Sequence, residues 1–194
     1  GETVTSNTVT ILNTAPEADD VEISPEEATA SDELSCSYSF SDDDDDDDAS
    51  TIVWTVDGDE VGTDDTLSDA FVGGQTVTCT VTPTDDEESG TEASASITID
   101  NTAPVLSDAT LSPEEAYESS ELKCAEGTAS DEDGETVTYS YAWTIDGADI
   151  SVTGYSLDGD DFDKGDDVVC YVTPNDGTDD GETVTSNTVT ILNT

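Results

Sequence analysis

The chain has 194 residues, of which 50 are Asp or Glu, two are Lys (Lys123 and Lys164) and none is Arg or His, for a formal net charge of −48 at pH 7. That balance excludes nucleic acid and anionic membrane surfaces as partners, since both demand cations to neutralise phosphate, and no apolar run is long enough for membrane insertion. Without His or Arg the usual nucleophilic triads and phosphate clamps are unavailable, so a non-enzymatic role is expected.

Residues 1–14, Gly-Glu-Thr-Val-Thr-Ser-Asn-Thr-Val-Thr-Ile-Leu-Asn-Thr, return letter for letter at 181–194. Residues 3–12 alternate and are rich in Thr and Val, which predicts a half-buried strand. It reads as the last strand and linker of a preceding repeat, so the chain looks like a window on a tandem array. Asn-Thr-Ala-Pro follows at Asn13–Pro16 and recurs at Asn101–Pro104. Proline lacks a ladder donor and restrains the residue before it, so these segments read as linkers. They mark two domains, 15–102 and 103–194, with neighbouring identical repeats as the expected partners.

Within the first domain, Val21-Glu22-Ile23 opens a strand that Ser24-Pro25 kinks. In the next, Leu34 to Phe40, alternation puts Leu34, Cys36, Tyr38 and Phe40 on one face. Beyond seven consecutive aspartates, Asp42–Asp48, the run Thr51–Val56 forms a strand around Trp54, closed by the turn signal Asp57-Gly58. Val77, Cys79 and Val81 share a face of a later strand, and 93–99 is the last. The second domain repeats the plan, with Tyr139, Tyr141 and Trp143 placed in the core. No stretch carries helical periodicity, so the chain is all-β. A composition this acidic and poor in aromatics is also found in disordered chains, but regular alternation, paired cysteines and one tryptophan per domain favour order.

Each domain holds two cysteines, Cys36 and Cys79 in the first and Cys124 and Cys170 in the second. Pairing within a domain is the economical reading. A zinc site is the alternative, but no Cys-x-x-Cys pair or histidine accompanies them. Loops of this size, once closed, stabilise a domain by about 3 to 4 kcal/mol in the chain-entropy model, and such bonds predict a secreted or cell-surface location.

Cysteine, then tryptophan 18 or 19 residues on, then a second cysteine in an alternating strand resembles the immunoglobulin-type sandwich. The resemblance implies tandem Ig-like antiparallel β-sandwiches, each with one inter-sheet disulfide (Cys36 with Cys79, Cys124 with Cys170) and a core tryptophan (Trp54, Trp143) packed on it. The tyrosine corner is absent, because Val77 and Val168 stand two residues before the second cysteines. The closer likeness is therefore to bacterial and archaeal Ig/cadherin-like repeat modules of large surface or filament proteins.

In such a sandwich the linker enters at the end that carries the B–C and F–G loops, here the most acidic segments. The candidate metal ligands are Asn13, Asp42, Asp44, Asp46 and Asp85 in the first domain, and Asn101, Asp131, Asp133, Glu135 and Asp176 in the second. Carboxylates, a side-chain amide and loop carbonyls at one end supply the hard oxygens that Ca²⁺ accepts. The bland alternative is a solvated, salt-adapted surface. The expected function is a structural spacer stiffened by Ca²⁺ in an extracellular fibre, stalk or surface protein. The alternatives are a calcium-dependent adhesin module gripping a glycan or partner protein, and a filament subunit joined by strand addition through residues 1–14.

Overall fold

The computed structural model describes residues 1–85 and 87–193; Asp86 of the first domain's F–G loop and Thr194 of the closing Asn-Thr pair lie outside the described residues. The chain divides into two compact units, Gly1–Asp100 and Asn101–Thr194. No helix occurs among the described residues, and so none is long and apolar enough to cross a membrane.

The first unit contains β1 (Glu17–Ser24), β2 (Leu34–Ser41), β3 (Thr51–Val56), β4 (Asp59–Gly62), β5 (Thr66–Leu67), β6 (Thr76–Thr82) and β7 (Ala93–Thr98). They pair antiparallel as two sheets, β1-β2-β5 and β4-β3-β6-β7. Alternation decides which side chains enter the core. In β2, Leu34 and Cys36 are buried and Tyr38 and Phe40 half-buried, while the intervening serines are exposed. In β6, Val77, Cys79 and Val81 are fully buried between half-exposed threonines. Cys36–Cys79 joins the two sheets, with Cα atoms 6.3 Å apart. Trp54 lies opposite Cys79 in the β3–β6 register, buried, and donates its indole N–H to the Asp64 carbonyl at 2.8 Å. That bond satisfies the one polar group the ring brings inside. Between β3 and β4, Asp57 and Gly58 take φ of 51° and 91°, the left-handed pair that a two-residue hairpin requires.

The second unit contains β8 (Val105–Leu106), β9 (Ala109–Ser112), β10 (Ala116–Tyr117), β11 (Leu122–Glu126), β12 (Ala129–Ser130), β13 (Thr138–Ile145), β14 (Ala148–Ile150), β15 (Ser156–Leu157), β16 (Asp167–Asn175), β17 (Val184–Thr185) and β18 (Val189–Leu192). One sheet is β15-β11-β9 and the other β10-β18-β16-β13-β14, with β17 also on β16 and a separate β8–β12 pair. Cys124–Cys170 bridges β11 and β16, and Trp143 faces Cys170 across β13–β16 with its indole N–H on the Gly154 carbonyl at 2.8 Å. The first unit, three strands against four cross-linked from second strand to sixth over a buried tryptophan, has the plan of an immunoglobulin-type sandwich. The second keeps the cross-sheet disulfide and the buried tryptophan, adds β10 at the edge of its larger sheet and sets β8 and β12 apart as a pair.

Residues 3–12, expected as the closing strand of a preceding repeat, pair with no strand of these two units, and Val4, Val9, Ile11 and Leu12 are 73–93% exposed. A single β segment leaves its ladder groups unpaired, and no partner strand meets it. The identical residues at the other end are not one strand but two, β17 and β18. Between them Ser186 and Asn187 turn aside to bond other strands. Tyr139 and Tyr141 are half-buried rather than core, packed on it at the ring; the Tyr141 hydroxyl donates to Glu126 Oε2 at 3.1 Å.

Candidate metal centre

The acidic loops fold by a shared device that begins with one carboxylate. In the second unit Asp131 Oδ1 accepts the backbone N–H groups of Asp133 (2.9 Å) and Glu135 (3.2 Å), wrapping the loop around its own first residue. Gly134, at φ 80°, makes the sharp turn. In the first unit Asp42 Oδ1 accepts Asp44 N–H (2.8 Å) and Asp46 N–H (3.2 Å), with Asp45 at φ 63° in the glycine's place. Asp is among the few side chains that tolerate the left-handed region. The seven-aspartate run therefore has a register: Asp42, Asp44 and Asp46 correspond to Asp131, Asp133 and Glu135. Asp48 serves elsewhere, accepting from the Tyr38 hydroxyl and from Ser50 N–H.

The linker and the F–G loop close on this turn in both units. Asn101 Nδ2 donates to Asp176 Oδ2 and Asp179 Oδ2, each at 2.9 Å, and Thr102 N–H donates to Asp133 Oδ2 at 2.7 Å. Asn13 Nδ2 donates to Asp85 Oδ2 at 2.8 Å, and Thr14 N–H to Asp44 Oδ2 at 2.7 Å. The other oxygen of Asp176 takes the N–H groups of Thr178 and Asp179; that of Asp85 takes those of Glu87 and Glu88. Both aspartates are buried.

The Asn-Thr pair of each linker thus acts as two donors, one from the side chain and one from the backbone. Sequence reading named the asparagines but missed Thr14, Thr102 and Asp179. The recurrence of Asn-Thr ahead of both Ala-Pro pairs was the available signal.

The remaining oxygens face one another. Asp131, Asp133 and Glu135 each bring a carboxylate oxygen within 4.8 Å of the others, the one such trio of metal-ligating side chains among the described residues. Asp131 Oδ2 is buried with no hydrogen-bond partner, and so is Asp42 Oδ2 at the matching position of the first unit. A buried carboxylate oxygen without a donor is strongly unfavourable unless a proton or cation answers it.

The electrostatics agree. Partial loss of water, a hydrogen bond shared with the Asp131 carboxyl when Glu135 is protonated, and the charges of Asp131, Asp133 and Asp176 push Glu135 above its ordinary value, so a proton on Glu135 is one group that can answer Asp131. Loss of water and the charges of Asp42, Asp85, Asp44 and Asp47 do the same to Asp46. Asp85 and Asp176 go the other way, held low first by the asparagine amide and then by backbone N–H groups.

The second unit's cluster is thus a convergent set of hard oxygens short of positive charge. The converging carboxylates of Asp131, Asp133 and Glu135 are oxygens of the kind Ca²⁺ accepts; both oxygens of Asp176 already accept hydrogen bonds, and Asn101 has its amide nitrogen committed. In the first unit the matching residues are Asp42, Asp44, Asp46, Asp85 and Asn13, no three of whose carboxylates bring their oxygens within 4.8 Å of one another.

No protein-family profile matches the sequence, and no curated protein matches it. Solved structures similar to the chain include a two-domain fibronectin type III segment from chicken tenascin, at 10% identity and a TM-score of 0.47, covering 89% of this chain and 98% of that one. Domains A168–A170 of titin share 9% identity at a TM-score of 0.38, with 94% of this chain and 68% of that one covered. A Dscam structure shares 15% at 0.41, with 95% and 47% covered. The sandwich assignment rests on strand order and on the two cross-sheet disulfides.

Proposed function

We propose that the chain is a pair of non-enzymatic structural spacer modules from an extracellular repeat array, and that each acidic centre takes one Ca²⁺ ion. The observation that carries this reading is the matched pair of orphaned oxygens, Asp42 Oδ2 and Asp131 Oδ2, in sandwiches whose sequences have otherwise diverged. An ion at that point binds the B–C loop, the F–G loop and the linker of one module together. Ordering the linker residues narrows the angles at which a module leaves the one before it, which stiffens an array. Calcium suits the role better than magnesium, because the clusters offer many oxygens on adaptable loops and no strict octahedron. The disulfides favour an oxidising compartment outside the cell.

Thermal unfolding of the oxidised chain in EDTA, in millimolar Ca²⁺ and in molar NaCl without divalents tests this reading. An ion present at 100 times its dissociation constant stabilises the folded state by about 2.7 kcal/mol per site, a shift of several degrees in a unit of this size. Calcium is expected to raise the midpoint well beyond what salt achieves. Equal shifts in the two conditions would mean that the aspartates are a solvated surface and the clusters are not metal sites.

A further inference from the structure

The second unit carries an aromatic corner that the first lacks. Tyr141, half-buried on β13, lies beside Tyr155, just ahead of β15, with ring centroids 6.4 Å apart and planes inclined by 59°. Tyr155 is 57% exposed. The Tyr141 hydroxyl donates to Glu126 Oε2 at 3.1 Å, which fixes the ring and sets a carboxylate at its rim. Loss of water, and then that carboxylate, push Tyr141 up to about 12, so its hydroxyl keeps its proton and goes on donating.

The first unit has the same backbone at this corner and different chemistry. Cys36 N–H donates to the Asp65 carbonyl at 2.9 Å as Cys124 N–H donates to that of Tyr155 at 2.8 Å, so Asp65 is the counterpart of Tyr155. Counted from Trp54 and Trp143, Ile52 stands where the second unit has Tyr141; counted from Cys36 and Cys124, Tyr38 stands at the place of Glu126. The Tyr38 hydroxyl goes to Asp48 instead. The sandwich thus closes at this corner without paired rings, and a tyrosine as exposed as Tyr155 adds little to the core.

We infer that Tyr141 and Tyr155, with Glu126 at their rim, form a binding site for a quaternary ammonium group. An aromatic ring turns a negative face to a cation, and a neighbouring carboxylate adds to the attraction. A quaternary ammonium spreads its charge over methyl groups and meets rings by apolar contact, whereas a primary ammonium is a compact, strongly hydrated charge. Lys123, on the same strand as Glu126, is paired with Glu121 at 3.2 Å and does not fill the corner. The net charge of −48 gathers cations of every kind around the chain, and the rings then choose among them. A neutral ligand gains nothing from that field.

NMR of the full chain tests this, with tetramethylammonium chloride replacing NaCl at constant ionic strength. Saturating shifts are expected at the Tyr155 and Tyr141 rings. Tyr117, 39% exposed on β10, and Tyr38 of the first unit should show none. Two probes divide the cation into its parts: tert-butanol has its shape without the charge, and methylammonium the charge without the methyl coat. Both are expected to bind at least several-fold more weakly. A response to either as strong as that to tetramethylammonium, or shifts at Tyr117 that parallel those at Tyr155, would overturn the inference.

Tyr155→Leu keeps the apolar cover and removes one ring. The Tyr141 resonances should then titrate about two- to five-fold more weakly, the range of one exposed cation–π contact, while Tyr155→Phe should titrate like the parent. The Trp143 indole resonance reports that each variant is folded. A leucine variant that binds like the parent would equally overturn the assignment. None of these readouts depends on calcium.

Discussion

At the scale of single residues, the two acidic centres set carboxylates of opposite tendency side by side. Asp131 accepts two N–H groups through one oxygen and none through the other. Asp131→Asn removes a charge that pairs with no lysine and faces the carboxylates of Asp133 and Glu135, while keeping the size of the side chain. In EDTA the variant is expected to unfold at the same temperature as the parent or higher. In millimolar Ca²⁺ it should lose the calcium-dependent shift of the second unit, and calorimetry under the two conditions separates the effects.

The pH response has two signs. Glu135, raised from 4.5, and Asp46, raised from 3.8, give stability that is present below their ordinary values and lost as pH rises through the raised ones. Asp85 and Asp176, lowered from 3.8, give stability that is present above that value and lost as pH falls through the lowered ones. Metal-free stability should therefore climb on mild acidification and drop on stronger acidification. Glu135→Gln should flatten the climb and leave the drop. A climb of unchanged size would show that the Glu135 carboxyl is not under the strain assigned to it.

At the scale of elements, the repeated segment permits the same substitution in the same local sequence with opposite outcomes. Gly181 lies against the Pro104 carbonyl, where a Cβ would collide with the oxygen, whereas a Cβ on Gly1 would meet nothing within 4 Å. Gly181→Ala is expected to destabilise by about 1 to 3 kcal/mol through overpacking, and Gly1→Ala to leave the midpoint where it was. Asn187→Ala strands the Leu111 N–H and carbonyl, again about 1 to 3 kcal/mol, while Asn7→Ala should be silent. Thermal scans of the four variants check both pairs.

The contrast also shows what sequence can reveal here. Strands such as Leu34–Ser41 and Thr76–Thr82 were legible because half-buried strands write their burial into every second letter. The state of residues 3–12 was not, because the same letters pair or stay free according to whether a sheet edge meets them. The site was legible in composition and illegible in register. Within Asp42–Asp48 nothing distinguishes Asp45, which turns the chain, from Asp44, which receives the linker, until the backbone is traced.

For the whole molecule, the net charge of −48 opposes compaction everywhere, while the clusters concentrate that opposition at two points. Units of about ninety residues have small cores and net stabilities of only about 5 to 15 kcal/mol. Against that, each disulfide closes a loop of more than forty residues, 43 and 46 by separation, and contributes about 3 to 4 kcal/mol. Screening acts on a different quantity, the repulsion among exposed carboxylates, whose range falls from about 30 Å at 0.01 M salt to about 3 Å at 1 M. The two contributions are separable, and losing both should exceed what the cores supply.

The reduced chain in EDTA is accordingly expected to be unfolded at about 10 mM salt, where each unit has lost its staple and still carries its full repulsion. Molar NaCl should refold it without any disulfide. Fluorescence from Trp54 and Trp143, both buried when folded, reports the transition in each unit. If the reduced chain stays folded in low salt, the cores outweigh the charge unaided. If molar salt fails to restore it, the cross-links, and not screening, are what make so acidic a chain foldable.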